Sequence, residues 1–167
     1  TAVIGPGEVI TLPNQSSMVH HEAELAVVIG RFCKDVPRDR VSEVMLGFTC
    51  ANDVSARDVQ ESDVQWSRAK GFDTFCPLGP WIETDLDPSD LAVTTYVGDD
   101  LRQSGNTKNM IFSAVDLVSF VSHQMTLLPG DVILTGTPAG VGPIVSGDEV
   151  EVAIEGIGSL VNTVQRA

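Results

Sequence analysis

Two glutamates at alternate positions carry the first chemical signal. They lie in His20-His21-Glu22-Ala23-Glu24-Leu25-Ala26-Val27-Val28-Ile29, a stretch rich in β-formers that Gly30 ends. Read as a strand, it places Glu22 and Glu24 on one face with Ala26 and Val28, and Leu25, Val27 and Ile29 on the other. Both faces are apolar in the second half, which is the pattern of a strand covered on both sides. Two carboxylates then point into an interior or a cleft, where lost hydration and mutual repulsion both oppose their ionised forms. Either one takes up a proton or a cation sits between them, and a divalent cation removes both difficulties. The competing reading of the same residues is an edge strand whose charges discourage aggregation.

Three further stretches carry polar groups that such a site could use. Asp53 follows the buried apolar run Phe48–Asn52, where a strand end feeds a helical turn near Ser55. Functional side chains are common at such junctions, although Asp53 would also serve as a turn cap. Lys70 sits in the run from Ala69 to Ile82, whose two glycines, two prolines and three aromatics predict a constrained, packed loop. A lysine held there beside a metal would lose its proton or find an anion; the alternative is a solvated surface lysine. The apolar strand Asp131–Leu134 leads into a glycine-rich loop, Thr135–Gly142. It lacks the Gly-Lys-Ser/Thr ending of a nucleotide-binding P-loop. It still offers backbone N–H groups and the Thr137 hydroxyl to a carboxylate. His123, near a helix end, reads as a capping or surface residue rather than a catalytic one.

The elements that must position these groups follow from period and punctuation. A short strand is predicted near Glu8–Leu12. Val41, Val44, Met45 and Phe48 fall at helical spacing and predict a helix within Val36–Phe48, with Pro37 in its first turn. Val93–Val97 and Leu101–Ser104 predict a hairpin through Gly98-Asp99-Asp100. Phe112–Met125 predicts a helix capped by Ser113, and Glu149–Ile154 with Ser159–Val164 a last hairpin. No repeat, low-complexity tract or linker interrupts the chain, so residues 1–167 are expected to form a single domain, mainly β with short helices (α+β).

The totals narrow the partners. The chain has 167 residues, 43% of them hydrophobic, which is enough for a core. Its net charge of −13 disfavours nucleic acid and anionic membranes as partners. No apolar run is long enough to span a bilayer. Cys33, Cys50 and Cys76 are odd in number and form no C-x-x-C, which argues against a zinc site or a disulfide framework and suits a reducing cytoplasm.

Taken together, Glu22-x-Glu24, Asn52-Asp53-Val54-Ser55-Ala56-Arg57-Asp58-Val59-Gln60, Lys70 to Pro80, and Thr135 to Gly142 resemble, in order and approximate spacing, the motifs of the fumarylacetoacetate hydrolase family. The likeness is greatest to bacterial members described as 2-hydroxyhepta-2,4-diene-1,7-dioate isomerases or acylpyruvate hydrolases. The resemblance implies a mixed β-sandwich roll or barrel-like fold, usually in a homodimer. It implies that Glu22, Glu24 and Asp53 bind one Mg²⁺ or Mn²⁺. It also implies that Gln60, Lys70 and Thr137 contact a small carboxylic acid substrate, with Lys70 catalytic and Asp73 steadying it. The expected reaction is metal-dependent C–C bond hydrolysis of a β-diketo or enol acid, such as an acylpyruvate or a fumarylacetoacetate-like compound, through an enolate. The alternatives are isomerisation or decarboxylation of heptadienedioate- or oxaloacetate-type acids in aromatic catabolism, and a catalytically inert metal-binding domain. The family's water-activating His and Glu are expected upstream of the position matching Thr1, in an N-terminal segment.

Overall fold

The computed structural model describes residues 1–167. Thirteen strands alternate with a few short helices. They are β1 (Val3–Ile4), β2 (Val9–Leu12), β3 (Val19–His21), β4 (Ala23–Ile29), β5 (Met45–Asn52), β6 (Ser55–Ala56), β7 (Cys76–Glu83), β8 (Ala92–Val97), β9 (Asp100–Asn106), β10 (Val132–Leu134), β11 (Gly142–Pro143), β12 (Glu149–Ile154) and β13 (Gly158–Arg166). The helices are α1 (Arg57–Ser62), α2 (Ser67–Lys70) and α3 (Ala114–Gln124). One five-stranded sheet has the order β1-β7-β5-β4-β10, a second has the order β2-β13-β12-β8-β9, and a small third sheet has the order β11-β3-β6. The curled sheets form a half-barrel, the β-rich α+β architecture that the sequence motifs imply.

Strand β4 is an interior strand, as its apolar residues on both faces favour. Every residue from Ala23 to Ile29 is buried, and β5 and β10 flank it on either edge, both antiparallel. Leu25, Val27 and Ile29 on one face join Val93, Val152, Ile154 and Val118 in the larger core. A second core, built on Ile10, Val54, Ala56, Val59, Ala69 and Phe75, lies under the segment from Asp53 to Lys70. Each full burial of a Val, Leu or Phe contributes about 1.5–3 kcal/mol, so this second core fixes a stretch that is otherwise short helices and turns.

Three expectations need correction. The strand through His20–Ile29 is interrupted at Glu22, so β3 and β4 belong to different sheets. At the break, Glu22 N–H donates to the Asn52 side chain at 2.9 Å and its C=O accepts from Asp53 N–H at 2.9 Å. The helix expected over Val36–Phe48 is a 3₁₀ turn at Arg38–Glu43, and Met45 and Phe48 belong to β5. Strand pairing with β4 and β7 takes those apolar residues, which overrides a helical spacing only four residues strong. The packed loop expected around Lys70 is the end of α2 followed, after five residues, by β7. The other elements stand: the β8–β9 and β12–β13 hairpins, and α3 with a capping box between Ser113 and Asp116.

Candidate metal centre and substrate site

The register of β4 on β5 assembles the acidic centre. Ala23 pairs with Asn52 and Glu24 with Ala51, so Glu22 and Asp53 leave their strands side by side. Oxygen atoms of Glu22, Glu24 and Asp53 lie within 4.8 Å of one another. Glu22 and Glu24 are buried and Asp53 is half-buried. This is the interior-facing arrangement, not the edge-strand one. On the other side of β4, Leu134 pairs with Ala26, and Thr135 donates its N–H and its hydroxyl to Leu25 C=O. The chain therefore turns past Glu24, and Gly136 N–H donates to Glu24 Oε2. Gly136 has φ +97°, a conformation that glycine adopts without strain.

Two cations lie against the carboxylates. Lys70 Nζ donates to Glu22 at 2.9 Å, to Ser55 Oγ at 2.9 Å, and to Asp53. Of the two fates open to a lysine here, it has found anions. Burial alone would lower its pKa, but the hydrogen bonds and charge of Asp53 and Glu22 outweigh that and hold it above its ordinary value. Asp73 does not steady Lys70; its carboxylate accepts from the Thr1 hydroxyl. Arg57 lies within the Asn52–Gln60 motif without an assigned role, yet its guanidinium bridges the site. It donates to Glu22 and, at 2.8 Å, to Gln60 Oε1. Gln60 is thus held beside the centre through Arg57.

Even with these partners the carboxylates are under-neutralised. Burial, with the charges of Asp53 and Glu22 added, pushes the Glu24 pKa up to about 8, against the Gly136 hydrogen bond and the Lys70 charge, which pull it down. Asp53 is also raised, first by burial, although Lys70 opposes the shift. Three carboxylates against Lys70 and Arg57 leave one excess negative charge when all are ionised. An all-carboxylate oxygen set of this kind suits a hard divalent ion such as Mg²⁺ or Mn²⁺. The residues present therefore fit a metal.

Thr137 is placed by a residue that the sequence does not flag. Gln103, on β9 and 1% exposed, donates from Nε2 to Thr137 Oγ1 and to Pro138 C=O, both at 2.8 Å. Its Oε1 accepts from Ala23 N–H at 3.0 Å, Thr95 Oγ1 at 2.8 Å and His21 Nδ1 at 3.1 Å. The Pro138 carbonyl on one side and the Ala23 N–H on the other fix the amide orientation. The Thr137 oxygen accepts from Gln103, so its own hydrogen is left to donate elsewhere. The 135–142 loop also docks directly on β9: a Cβ on Gly140 would meet Arg102 O at 2.2 Å. A cavity of about 560 Å³ opens beside this loop, lined by Leu25, Asn106, Phe112, Thr137 and Pro138 among others, and by none of the three carboxylates. A polar residue inside a hairpin carries no sequence signal for such a role.

Replacing Gln103 with Leu is expected to strand three donors in the interior, each worth about 1–3 kcal/mol. The thermal midpoint should fall by at least about 6 °C, read by differential scanning calorimetry. An unchanged midpoint would show that Gln103 does not tie the loop to β4. His123, in contrast, is exposed and its Nδ1 lies 2.8 Å from Ser119 C=O within α3, consistent with a helix-end role.

The comparisons with known proteins fit this geometry. The sequence matches the fumarylacetoacetate (FAA) hydrolase C-terminal family over residues 1–165. The crystal structure of 2-hydroxyhepta-2,4-diene-1,7-dioate isomerase from Mycobacterium marinum is similar at TM-score 0.98 and 57% identity, over 99% of this chain and 66% of that one. Maleylpyruvate hydrolase from Sphingobium sp. SYK-6, in complex with manganese(II) and pyruvate, is similar at TM-score 0.91 and 39% identity, over 99% and 62%. The mitochondrial oxaloacetate tautomerase Fahd2a of Rattus norvegicus is 44% identical over 175 residues, 98% of this chain and 56% of the relative. The chain thus spans between 56% and 66% of the length of these relatives.

Proposed function

Since the chain belongs to the fumarylacetoacetate hydrolase C-terminal family, whose members include isomerases and hydrolases, we propose that it acts as a divalent-metal-dependent hydrolase of a small acylpyruvate-type 2-oxo acid. The observation that carries this reading is the convergence of Glu22, Glu24 and Asp53 within 4.8 Å, with Lys70 and Arg57 against them. Glu22, Glu24 and Asp53 hold the metal, Mg²⁺ or Mn²⁺. Once bound, it supplies Lewis-acid polarisation of a 2-oxo acid's carbonyl and carboxylate. The Sphingobium relative, with manganese(II) and pyruvate, supports that pairing of metal and ligand.

The chain's own side chains supply the rest. With a divalent ion bound and all three carboxylates ionised, the centre carries one excess positive charge, which attracts a carboxylate substrate. Lys70, fully protonated, places an ammonium where negative charge develops on the substrate oxygen as the bond to the acyl carbon breaks. Arg57 holds Gln60 as a neutral donor and acceptor beside the centre. The Thr137 hydroxyl, fixed by Gln103, donates to the substrate carboxylate and sets its orientation. Activation of the attacking water is assigned to none of these groups; the resemblance puts that pair in an N-terminal segment. The working assembly is taken to be a homodimer in the cytoplasm.

A second reading is isomerisation or tautomerisation of the same class of acid. The specific observation favouring it is that the Mycobacterium marinum and rat relatives are an isomerase and a tautomerase. Both readings pass through the enol form of a 2-oxo acid, so one experiment separates them. Loss of acetylpyruvate enol absorbance is followed with Mn²⁺ and again with EDTA, beside an enol-to-keto assay on oxaloacetate. EDTA-sensitive formation of pyruvate and acetate supports the hydrolase. EDTA-sensitive enol decay of oxaloacetate without C–C cleavage of acetylpyruvate supports the tautomerase. Activity in neither assay, by the chain alone or joined to the N-terminal segment of a family relative, would remove both.

A further inference from the structure

Lys70 has a second neighbourhood that the acidic centre does not explain. Lys70 also borders an open depression of about 480 Å³, whose other walls are Val64, Gln65, Trp66 and Ser67. Trp66 is 57% exposed and Val64 95% exposed. Single exposed apolar residues need no explanation, but here two stand together at the edge of a charged site. The segment that presents them is built to do so. Asp63 at the end of α1 and Arg68 in α2 close it with a two-pronged ion pair, Nε at 2.8 Å and Nη2 at 2.6 Å. Beneath it, Val59 and Ala69 are anchored in the second core. The base of the tip is therefore tied down on both sides while Val64 and Trp66 point away from the packed interior.

We propose that Trp66, assisted by Val64, is the specificity platform of this site: the indole face receives the carbon chain of the substrate beyond its 2-oxo acid group. This rests on the functional reading above. The occupant follows from Lys70, which is shared between the two places. An acid whose oxygens are drawn to the acidic centre and its ammonium leaves its remaining chain beside the depression. The platform itself has no net charge, since Asp63 and Arg68 neutralise each other and Val64, Gln65, Trp66 and Ser67 carry none. It recognises a flat unsaturated or apolar chain by area and stacking rather than by its terminal group. Trp66 is a substrate-contacting residue in this reading, with selectivity as its output.

Trp66 and Trp81 are the two tryptophans of the chain, so a Trp81→Phe background makes Trp66 the sole indole reporter. With Mn²⁺ present, oxalate serves as a probe without a chain, and acetylpyruvate and a long-chain acylpyruvate as probes with one. Calorimetry reads affinity and fluorescence reads the indole. The expected result is tighter binding of the longer chain, with a shift of Trp66 emission that oxalate does not produce. Trp66→Ala should weaken the long-chain probe by about tenfold or more and leave oxalate within about twofold, and Trp66→Phe should restore most of the difference. Oxalate binding in the parent with no dependence on chain length, or equal losses for both probes in Trp66→Ala, would overturn the platform alone. Failure of the parent to bind any of the three probes would overturn the functional reading, and the platform with it.

Discussion

Asp53→Asn is expected to lower Mn²⁺ affinity by at least about a hundredfold and to bring turnover to background, while the metal-free protein stays folded. Loss of an outer partner of a metal ligand usually costs about ten- to a hundredfold, and Asp53 is a proposed ligand itself. The substitution keeps the shape of the side chain and an oxygen for Lys70 to donate to. Lys70 also retains Glu22 and Ser55, both at 2.9 Å, so its ammonium is not abandoned. Calorimetric titration with Mn²⁺ and a melting curve without metal separate the two effects. Retained affinity in a folded Asp53→Asn protein would mean that the ion is held elsewhere. A second consequence distinguishes this variant from simple loss of a ligand. The Asp53 charge helps to raise the Glu24 pKa, so Glu24 should ionise at lower pH once that charge is gone.

Part of this centre is legible in the amino-acid sequence and part is not. Glu22 and Glu24 are marked by period two as a pair on one face, but alternation leaves an interior site and a charged edge strand both open; the burial of both carboxylates decides for the interior. Asp53 reads only as one of two things, a cap or a ligand, until the register of β4 on β5 sets it beside Glu22. The break at Glu22 has no such signal. It depends on the Asn52 side chain taking the Glu22 N–H, a contact between residues 30 positions apart. Arg57 and Gln103 are invisible for the same reason. Arg57 lies inside the Asn52–Gln60 motif, but its reach to Glu22, 35 positions away, has no local signal, and Gln103 lies in no pattern that alternation or spacing could flag. The helix expected through Met45 and Phe48 fails on a different count. Four apolar residues match a helical period and a buried strand equally well, and pairing with two neighbouring strands decides between them.

The metal-free protein should become less stable as pH rises from 6.5 to 8, and Mn²⁺ should abolish that dependence. Glu24 in the folded chain keeps its proton up to about 8, whereas the ordinary value is 4.5. Between those values the folded state binds more protons than the unfolded state, so stability falls with rising pH. Asp53, also raised, first by burial, works in the same direction. His20 and His21 are lowered, chiefly by burial, and oppose it below their ordinary value of 6.5. The window above 6.5 is therefore where Glu24 dominates. At about 1.4 kcal/mol per unit it contributes a loss of roughly 2 kcal/mol there, or a fall in thermal midpoint of about 4–8 °C. Metal binding must expel the Glu24 proton, so near pH 7 it should release about one proton and tighten nearly tenfold per pH unit. Calorimetry in buffers of different ionisation enthalpy counts that proton directly. Glu24→Gln removes the titrating group, so its metal-free stability should be flat across the window and its Mn²⁺ binding lost. A parent protein whose midpoint does not change from pH 6.5 to 8 would show that Glu24 is already ionised without metal, and that the centre tolerates its excess negative charge with Lys70 and Arg57 alone.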